Sequence, residues 1–382
     1  MTRSGRADTV KNKIAERLAA AGSIDTAEFM AIAMADKEDG YYAAAEPFGR
    51  GGDFITAPEI SQLFGEIVAI WVIAAWQALG CPARFVLCEA GPGRGSLSDD
   101  ICRSLAKAAP ACARAAHMAL METSPALRRQ QQQKLAAWNK PEKPIVWVED
   151  YSGLTLHIRR LAPAAPLIFI ANELLDVLPV CQYEKSARGW HERRIQAAAG
   201  GQLHFTPGPL QPLPLPAAAA AFAQACGRAP PGTIIELSPA RQAFIQALSR
   251  LLAQQRGAAL LIDYGALEHS FGDTLQAVAK HRFAKVLDNI GRSDLSSHVD
   301  FAALIAAARA ENCRAAALTQ GDFLLQMGLL ERAGRLGADK DAQCRQQITA
   351  DVTRLAAPEQ MGELFKILCL ADADTIMPPF QW

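Results

Sequence analysis

The residues with the clearest chemical potential stand in Glu89-Ala90-Gly91-Pro92-Gly93-Arg94-Gly95, directly after the apolar run Phe85–Cys88. Glycines placed after a strand let the backbone approach a ligand and then open a helix, so the pattern points to a nucleotide-like cofactor. A dinucleotide fingerprint needs its third small residue one position later, where Ser96 stands. More carboxylates and amides follow the later apolar runs: Glu122, Glu149 with Asp150, Asn172 with Glu173, and Asp263. Strand ends of this kind are where open α/β sheets hold their ligands.

Charge separates the candidate cofactors. A pyrophosphate would be repelled by a ring of carboxylates, whereas S-adenosylmethionine presents a sulfonium, an ammonium, a ribose diol and a single carboxylate. On this reading Gly91, Pro92, Gly93 and Gly95 pass close to the methionine part, and Glu89 supports its ammonium. Glu122, followed by Thr123 and Ser124, accepts the two ribose hydroxyls. Glu149 and Asp150 border the adenine, and Asn172 completes the ring. The bland alternative is that these acids are turn and cap residues, with Ser124 capping a helix in "ETSP". The Glu89–Glu122 spacing of 33 residues exceeds the roughly 20 of a dinucleotide unit. The stretch "AKAAPACARAAH" supplies the extra length.

Elements that could position these groups are legible from the apolar pattern. Strands are expected at Phe85–Cys88, Met118–Met121, Ile145–Val148, Leu167–Ile170, Ile234–Leu237 and Ala259–Ile262. Their alternation with helical segments predicts an α/β fold with a doubly wound, mostly parallel sheet. Residues 1–80 read as a helical N-terminal part, and 81–382 as the core with an antiparallel and helical insertion at about 181–232. That insertion holds a ribbon turning at Gly200–Gly201, the stiff spacer "PGPLQPLPLP" and an alanine-rich helix. Val10, Ile14 and Leu18 mark one face of a first helix, and Ile67–Trp76 reads as a helix buried on all sides. Asp25 with Glu28, and Thr56 with Glu59, form capping patterns. The C-terminal third reads as a strand-like stretch at Thr274–Phe283, followed by helices to the end.

Composition narrows the function classes. The chain has 382 residues, with 39 basic residues balancing 39 acidic ones and no block of like charge, which argues against a nucleic-acid backbone as partner. Its longest apolar run is ten residues, against about 20 for a bilayer span. Nine scattered cysteines without a CxxC pair suit reduced thiols, and the N-terminal segment lacks a secretory apolar region, so a cytoplasmic protein is expected. No metal-ligand spacing is evident.

The segments "GDFITAPEISQLFGE" (52–66), "CEAGPGRGSL" (88–97), "METSPALRRQQ" (121–131), "FIANELLDVLPV" (169–180), "LLIDYG" (260–265), "LSSHVDF" (295–301) and "MGELFKILCL" (361–370) together resemble the MidA-type methyltransferases. Mitochondrial members of that family assist respiratory complex I assembly by symmetric dimethylation of an arginine on a core subunit. The resemblance covers nearly the whole chain in order. It implies a class I methyltransferase core using S-adenosyl-L-methionine, and a protein client such as a complex I subunit. It also turns the glycine-rich loop Gly51–Thr56, by itself a plain connector, into a lid in which Gly52, Asp53 and Thr56 touch the cofactor.

Methyl transfer from a sulfonium is an in-line displacement, so the enzyme has to align the acceptor and exclude water, and needs no covalent nucleophile. A guanidinium acceptor is protonated and weakly nucleophilic, and carboxylates can grip its planar fork. Candidates for this work are Glu173 and Asp176, with Asp263 and Tyr264 at the next strand end and His298 as proton acceptor. A helix-capping role for His298 fits its position equally well. Alternatives are a small-molecule methyltransferase, a non-catalytic assembly chaperone, and an NAD-dependent enzyme, the last disfavoured by Ser96 and the acids. The oligomeric state is open.

Overall fold

The computed structural model describes residues 3–35, 41, 56–162, 164–279 and 282–382. The chain divides into two compact units, one made of 1–54, 175–244 and 268–306, the other of 55–174, 245–267 and 307–382. This redistributes the linear arrangement expected from sequence. The helix Gln62–Ala78 belongs to the second unit, and the stretch after residue 268 returns to the first.

The second unit is built on a sheet whose continuous path has seven strands: β1 Phe85–Ala90, β2 Ala116–Met121, β3 Val146–Val148, β4 Leu167–Asn172, β5 Gly257–Ala266, β6 Arg314–Thr319 and β7 Phe365–Ala371. Their spatial order is β3-β2-β1-β4-β5-β7-β6. Pairing is parallel from β3 through β5 and antiparallel on both sides of β7. The order reverses between β1 and β4, which is the switch point where the carboxyl ends of strands open a ligand crevice.

Both faces of this sheet are covered, so its central strands are mostly apolar: every residue of β1, β4 and β7 is buried, with Glu89, Asn172 and Lys366 their only polar members. That explains an expectation that failed. The run "FKILCLA" has no alternation to reveal a strand and reads as a helix from sequence, yet it is β7, inserted between β5 and β6.

On one face Phe85, Leu87, Ile168, Ile170, Leu260 and Ile262 share a core with Phe64, Ile67, Val68 and Trp71 of the helix Gln62–Ala78. This helix is not buried on every side, because Ile70 is 36% exposed and Ile73 half-buried at helical spacing from it. Its N-cap is Ser61, whose hydroxyl accepts from the Leu63 N–H at 3.4 Å, while Thr56 caps the short helix Ala57–Ile60 with no side-chain bond. Gly65 allows close approach to the helix Ser96–Ala108, since a Cβ there would lie 2.5 Å from Asp100 Cβ. Glu66, nearly buried, locks the same junction: Arg332 reaches it in bidentate fashion at 2.7 and 3.0 Å, and Arg103 at 3.3 Å.

In the first unit the N-terminal helix Arg3–Ala21 buries Val10, Ile14 and Leu18, the face its periodicity marked. Asp25 caps the next helix, accepting from the Glu28 N–H at 2.7 Å. An antiparallel sheet joins Ile24–Asp25, Gly189–Ala197, Cys181–Ser186 and Ile234–Leu237 in that order, with Leu203–Leu210 paired to Gly189–Ala197. The hairpin turns at Gly201, whose φ is 78°. Ile234–Leu237 is therefore no member of the parallel sheet, as the sequence reading had it. Its half-buried alternation suits an antiparallel strand, and Glu236 within it accepts from Gln182, Thr274 and Leu275. The stretch Thr274–Phe283 forms two strands, Gln276–Ala279 and Arg282–Ala284, of a three-stranded sheet. Among the described residues no helix is long and apolar enough to cross a membrane.

Candidate functional site

The glycine turn leaves the carboxyl end of β1 in left-handed backbone: φ is 63° at Gly91, 52° at Gly93 and 81° at Gly95, the N-cap of Ser96–Ala108. Side chains rarely adopt this region, and a Cβ at Gly91 would also meet Leu174 Cδ1 at 2.9 Å. The turn is pinned by Gly91 N–H donating to Met121 O at 3.0 Å and Gly95 N–H donating to Pro92 O at 2.7 Å.

Glu89, 4% exposed on β1, accepts a short hydrogen bond from the hydroxyl of Ser98, a fully buried residue in the first turn of the following helix. Burial pushes the Glu89 carboxyl up to about 7, with the Ser98 bond opposing the shift. Glu122, at the end of β2, is 7% exposed. It accepts from Ser124 N–H at 2.7 Å and from Gln131 Nε2 at 3.1 Å, and burial raises its pKa against the effect of these donors. A carboxylate has about four acceptor positions, so it retains capacity for hydroxyl donors.

The neighbouring predicted residues have structural contacts of their own. Ser124 is the cap of Pro125–Lys134, accepting from Leu127 N–H, and Thr123 is exposed. Glu149 is an exposed partner of Arg128 at 3.4 Å, and Asp150 caps Tyr151–Leu161 by accepting from Gly153 N–H at 2.8 Å. These are the cap roles that compete with a cofactor role at strand ends. Gly52 and Asp53 lie outside the described residues, while Thr56 stands at the start of the helix Ala57–Ile60.

At the end of β4, Asn172 donates through Nδ2 to Glu173 Oε1 at 3.1 Å, while its own buried Oδ1 has no partner among the described residues. Glu173 has φ of 50°, a left-handed conformation that is costly for a side chain of this kind. Its N–H donates to Ile262 O at 2.8 Å, and its carboxylate accepts from Ala57 N–H at 3.4 Å. These contacts bring Glu173 beside β5, which runs on to Ala266, so that Asp263 and Tyr264 lie within the strand and not at the end expected from sequence. Asp263 is fully buried and accepts from the Tyr264 N–H at 2.9 Å. Tyr264 meets Phe365 edge-on at 5.5 Å.

Asp176 and His298 belong to the first unit, where a residue not foreseen from sequence holds both loops. Buried Arg241 donates from Nε to Leu175 O at 2.7 Å, from Nη1 to His298 O at 2.7 Å and from Nη2 to Asp176 O at 2.9 Å. Ser297 joins them, its N–H donating to Asp176 O at 3.0 Å. The His298 side chain is exposed. Gln131 and Ser98 were likewise missed. Among the described residues no group of three or more His, Cys, Asp or Glu could hold a metal ion.

A model for a family of S-adenosyl-L-methionine-dependent methyltransferases matches residues 67–319. The mouse protein named protein arginine methyltransferase NDUFAF7, mitochondrial, is 32% identical over 93% of this chain and 82% of its own length. The Drosophila melanogaster homolog is 30% identical over 96% and 86%. Among solved structures, a Burkholderia thailandensis protein bound to S-adenosyl-homocysteine matches with a TM-score of 0.81 and 27% identity, covering 98% of this chain and 95% of that one. The mouse, human and fruit-fly relatives are all named as mitochondrial, which overturns the cytoplasmic placement expected from cysteines and the N-terminal segment. The site fits the cofactor these comparisons imply: the unpaired Asn172 Oδ1 and buried Glu89 are acceptors suited to a cationic, donor-rich ligand and unsuited to a pyrophosphate.

Proposed function

The chain belongs to this family of S-adenosyl-L-methionine-dependent methyltransferases and is such an enzyme; from that premise we propose that it dimethylates an arginine of a protein client, with a core subunit of respiratory complex I as the candidate. The observation that carries the reading is the 32% identity to a protein named as an arginine methyltransferase across 93% of this chain.

S-adenosylmethionine supplies a methyl group on a sulfonium: a nitrogen–carbon bond forms as the carbon–sulfur bond breaks, sulfur keeps the electron pair and the guanidinium nitrogen gives up a proton. On the cofactor side Glu89 offers a buried negative acceptor for the ammonium, and Glu122 accepts from the ribose hydroxyls. Gly91, Gly93 and Gly95 let the chain pass close to the methionine part. On the acceptor side Glu173 grips the guanidinium and draws charge away from the attacking nitrogen, with Asp263 and Tyr264 beside it. Its strained backbone supports this role, because such strain concentrates at functional positions. Asp176 and His298, both of the first unit, remain candidates from the sequence alone, as a further carboxylate and a proton acceptor.

Comparative peptide-mass analysis of cells with and without the gene tests the reading. One arginine peptide should lose about 28 daltons, two methyl groups, when the gene is absent. An unchanged set of arginine peptides, with a small metabolite losing its methyl group instead, would overturn it.

A further inference from the structure

Gln131 lies within the run Gln130–Gln133 on the helix Pro125–Lys134, yet it is fully buried. Its Nε2 donates to Gly93 O at 2.8 Å and to Glu122 Oε2 at 3.1 Å. Its Oε1 accepts from the indole N–H of Trp147 on β3 at 2.9 Å. One amide thus joins the glycine turn after β1, the carboxylate after β2 and the strand that leads to Glu149 and Asp150.

The network admits only one orientation of the amide. Both N–H donors have acceptors as partners, and the carbonyl has a donor. Turning the amide over would set an oxygen against Gly93 O and the Glu122 carboxylate, and a donor against the indole N–H. Buried polar groups satisfied this completely hold a single geometry, because every alternative leaves several unpaired in a low dielectric.

We propose that Gln131 is a positioning residue for cofactor binding, which fixes the Glu122 carboxylate and the Gly93 carbonyl relative to each other so that ribose and methionine portions are received together. Gln131 touches neither reacting atom. It acts through Glu122 and the turn, so its loss should be read in cofactor affinity and in recognition of the ribose. The inference rests on the assignment of Glu122 to the ribose hydroxyls.

The test uses the full chain and titrates S-adenosylhomocysteine and its 2′-deoxyribose analogue by calorimetry. Gln131→Met keeps the length of the side chain and removes the amide. It is expected to weaken S-adenosylhomocysteine at least about tenfold and to shrink the preference over the deoxy analogue. In a Glu122→Ala background the same change should cost no more than about twofold, because the two act as one unit. Trp147→Phe is the milder variant, freeing only the amide oxygen, with an expected weakening of about threefold. In ligand-free protein the Trp147 indole N–H should exchange faster with solvent in Gln131→Met. If Glu122→Ala binds both ligands like the parent, the ribose assignment itself fails. If Glu122→Ala is impaired while Gln131→Met keeps parental affinity and preference, only the role of Gln131 is overturned. Should Gln131→Met not fold, parental affinity and preference in Trp147→Phe overturn it instead.

Discussion

Ser98 donates its hydroxyl hydrogen to the carboxylate of Glu89, and both residues are buried where β1 turns into the next helix. The bond ties a strand-end acid to the first turn of that helix, while burial holds its pKa at about 7. A carboxyl so poised couples cofactor binding to protons. A ligand ammonium favours the ionised form, so S-adenosylhomocysteine affinity should rise between pH 6 and 8, with proton release seen as buffer-dependent calorimetric heat. Glu89→Gln should flatten the profile, and Ser98→Ala should move it to higher pH. Ligand-free stability has the opposite slope. The folded state retains the Glu89 proton up to about 7, whereas the ordinary value is 4.5, so this group's contribution is present in acid and is lost as pH climbs through that window. Affinity independent of pH in the parent would contradict the assignment.

Gly93→Val should abolish cofactor binding in a folded protein. Its φ of 52° excludes a β-branched side chain, and its carbonyl is held by Gln131. Parental circular dichroism together with parental S-adenosylhomocysteine affinity would show that the turn does not carry the site.

The carboxylates Glu122 and Glu173 should separate in their effects. Glu122→Ala removes charge-assisted bonds worth roughly 1.5–3 kcal/mol, so affinity for S-adenosylhomocysteine should fall about ten- to a hundredfold. Glu173→Gln keeps the shape at the end of β4 but removes charge, so turnover should fall while cofactor affinity stays near the parent. Parental turnover in Glu173→Gln would reduce this residue to a strand-end turn.

Arg241→Met should destabilise the first unit by about 3 kcal/mol or more, because it strips donors from the carbonyls of Leu175, Asp176 and His298 in a buried setting. Arg241→Lys should rescue little, since an ammonium cannot reproduce the planar fork. Urea unfolding followed by tryptophan fluorescence reads the difference; a midpoint within error of the parent would contradict it.

Much of this molecule was legible where one physical signal dominated. The strands β1, β2 and β4 announced themselves as apolar runs before turns, and the acids after them stand at the expected strand ends. The Val10, Ile14 and Leu18 face was readable from helical spacing alone. The run at β7 was not, because burial on both faces erases the alternation that distinguishes strand from helix. Gln131 hides in four consecutive glutamines that resemble a solvated surface. The signal that could have found it is its place four residues from both Leu127 and Leu135, each buried, so that it completes an apolar stripe. Arg241 likewise stands four residues before Ile245 and seven before Leu248, both buried, on one helix face. A polar residue on an apolar stripe is a buried group that must have partners, and both of these have them.

The most direct measurement of the central claim supplies the purified protein with S-adenosylmethionine carrying an isotopically labelled methyl group and a lysate depleted of the endogenous enzyme. Hydrolysis of the protein fraction and separation of its amino acids then locates the label. The account predicts label in dimethylated arginine, and its loss with Glu173→Gln. Label in the small-molecule fraction, or in another amino acid, would contradict it.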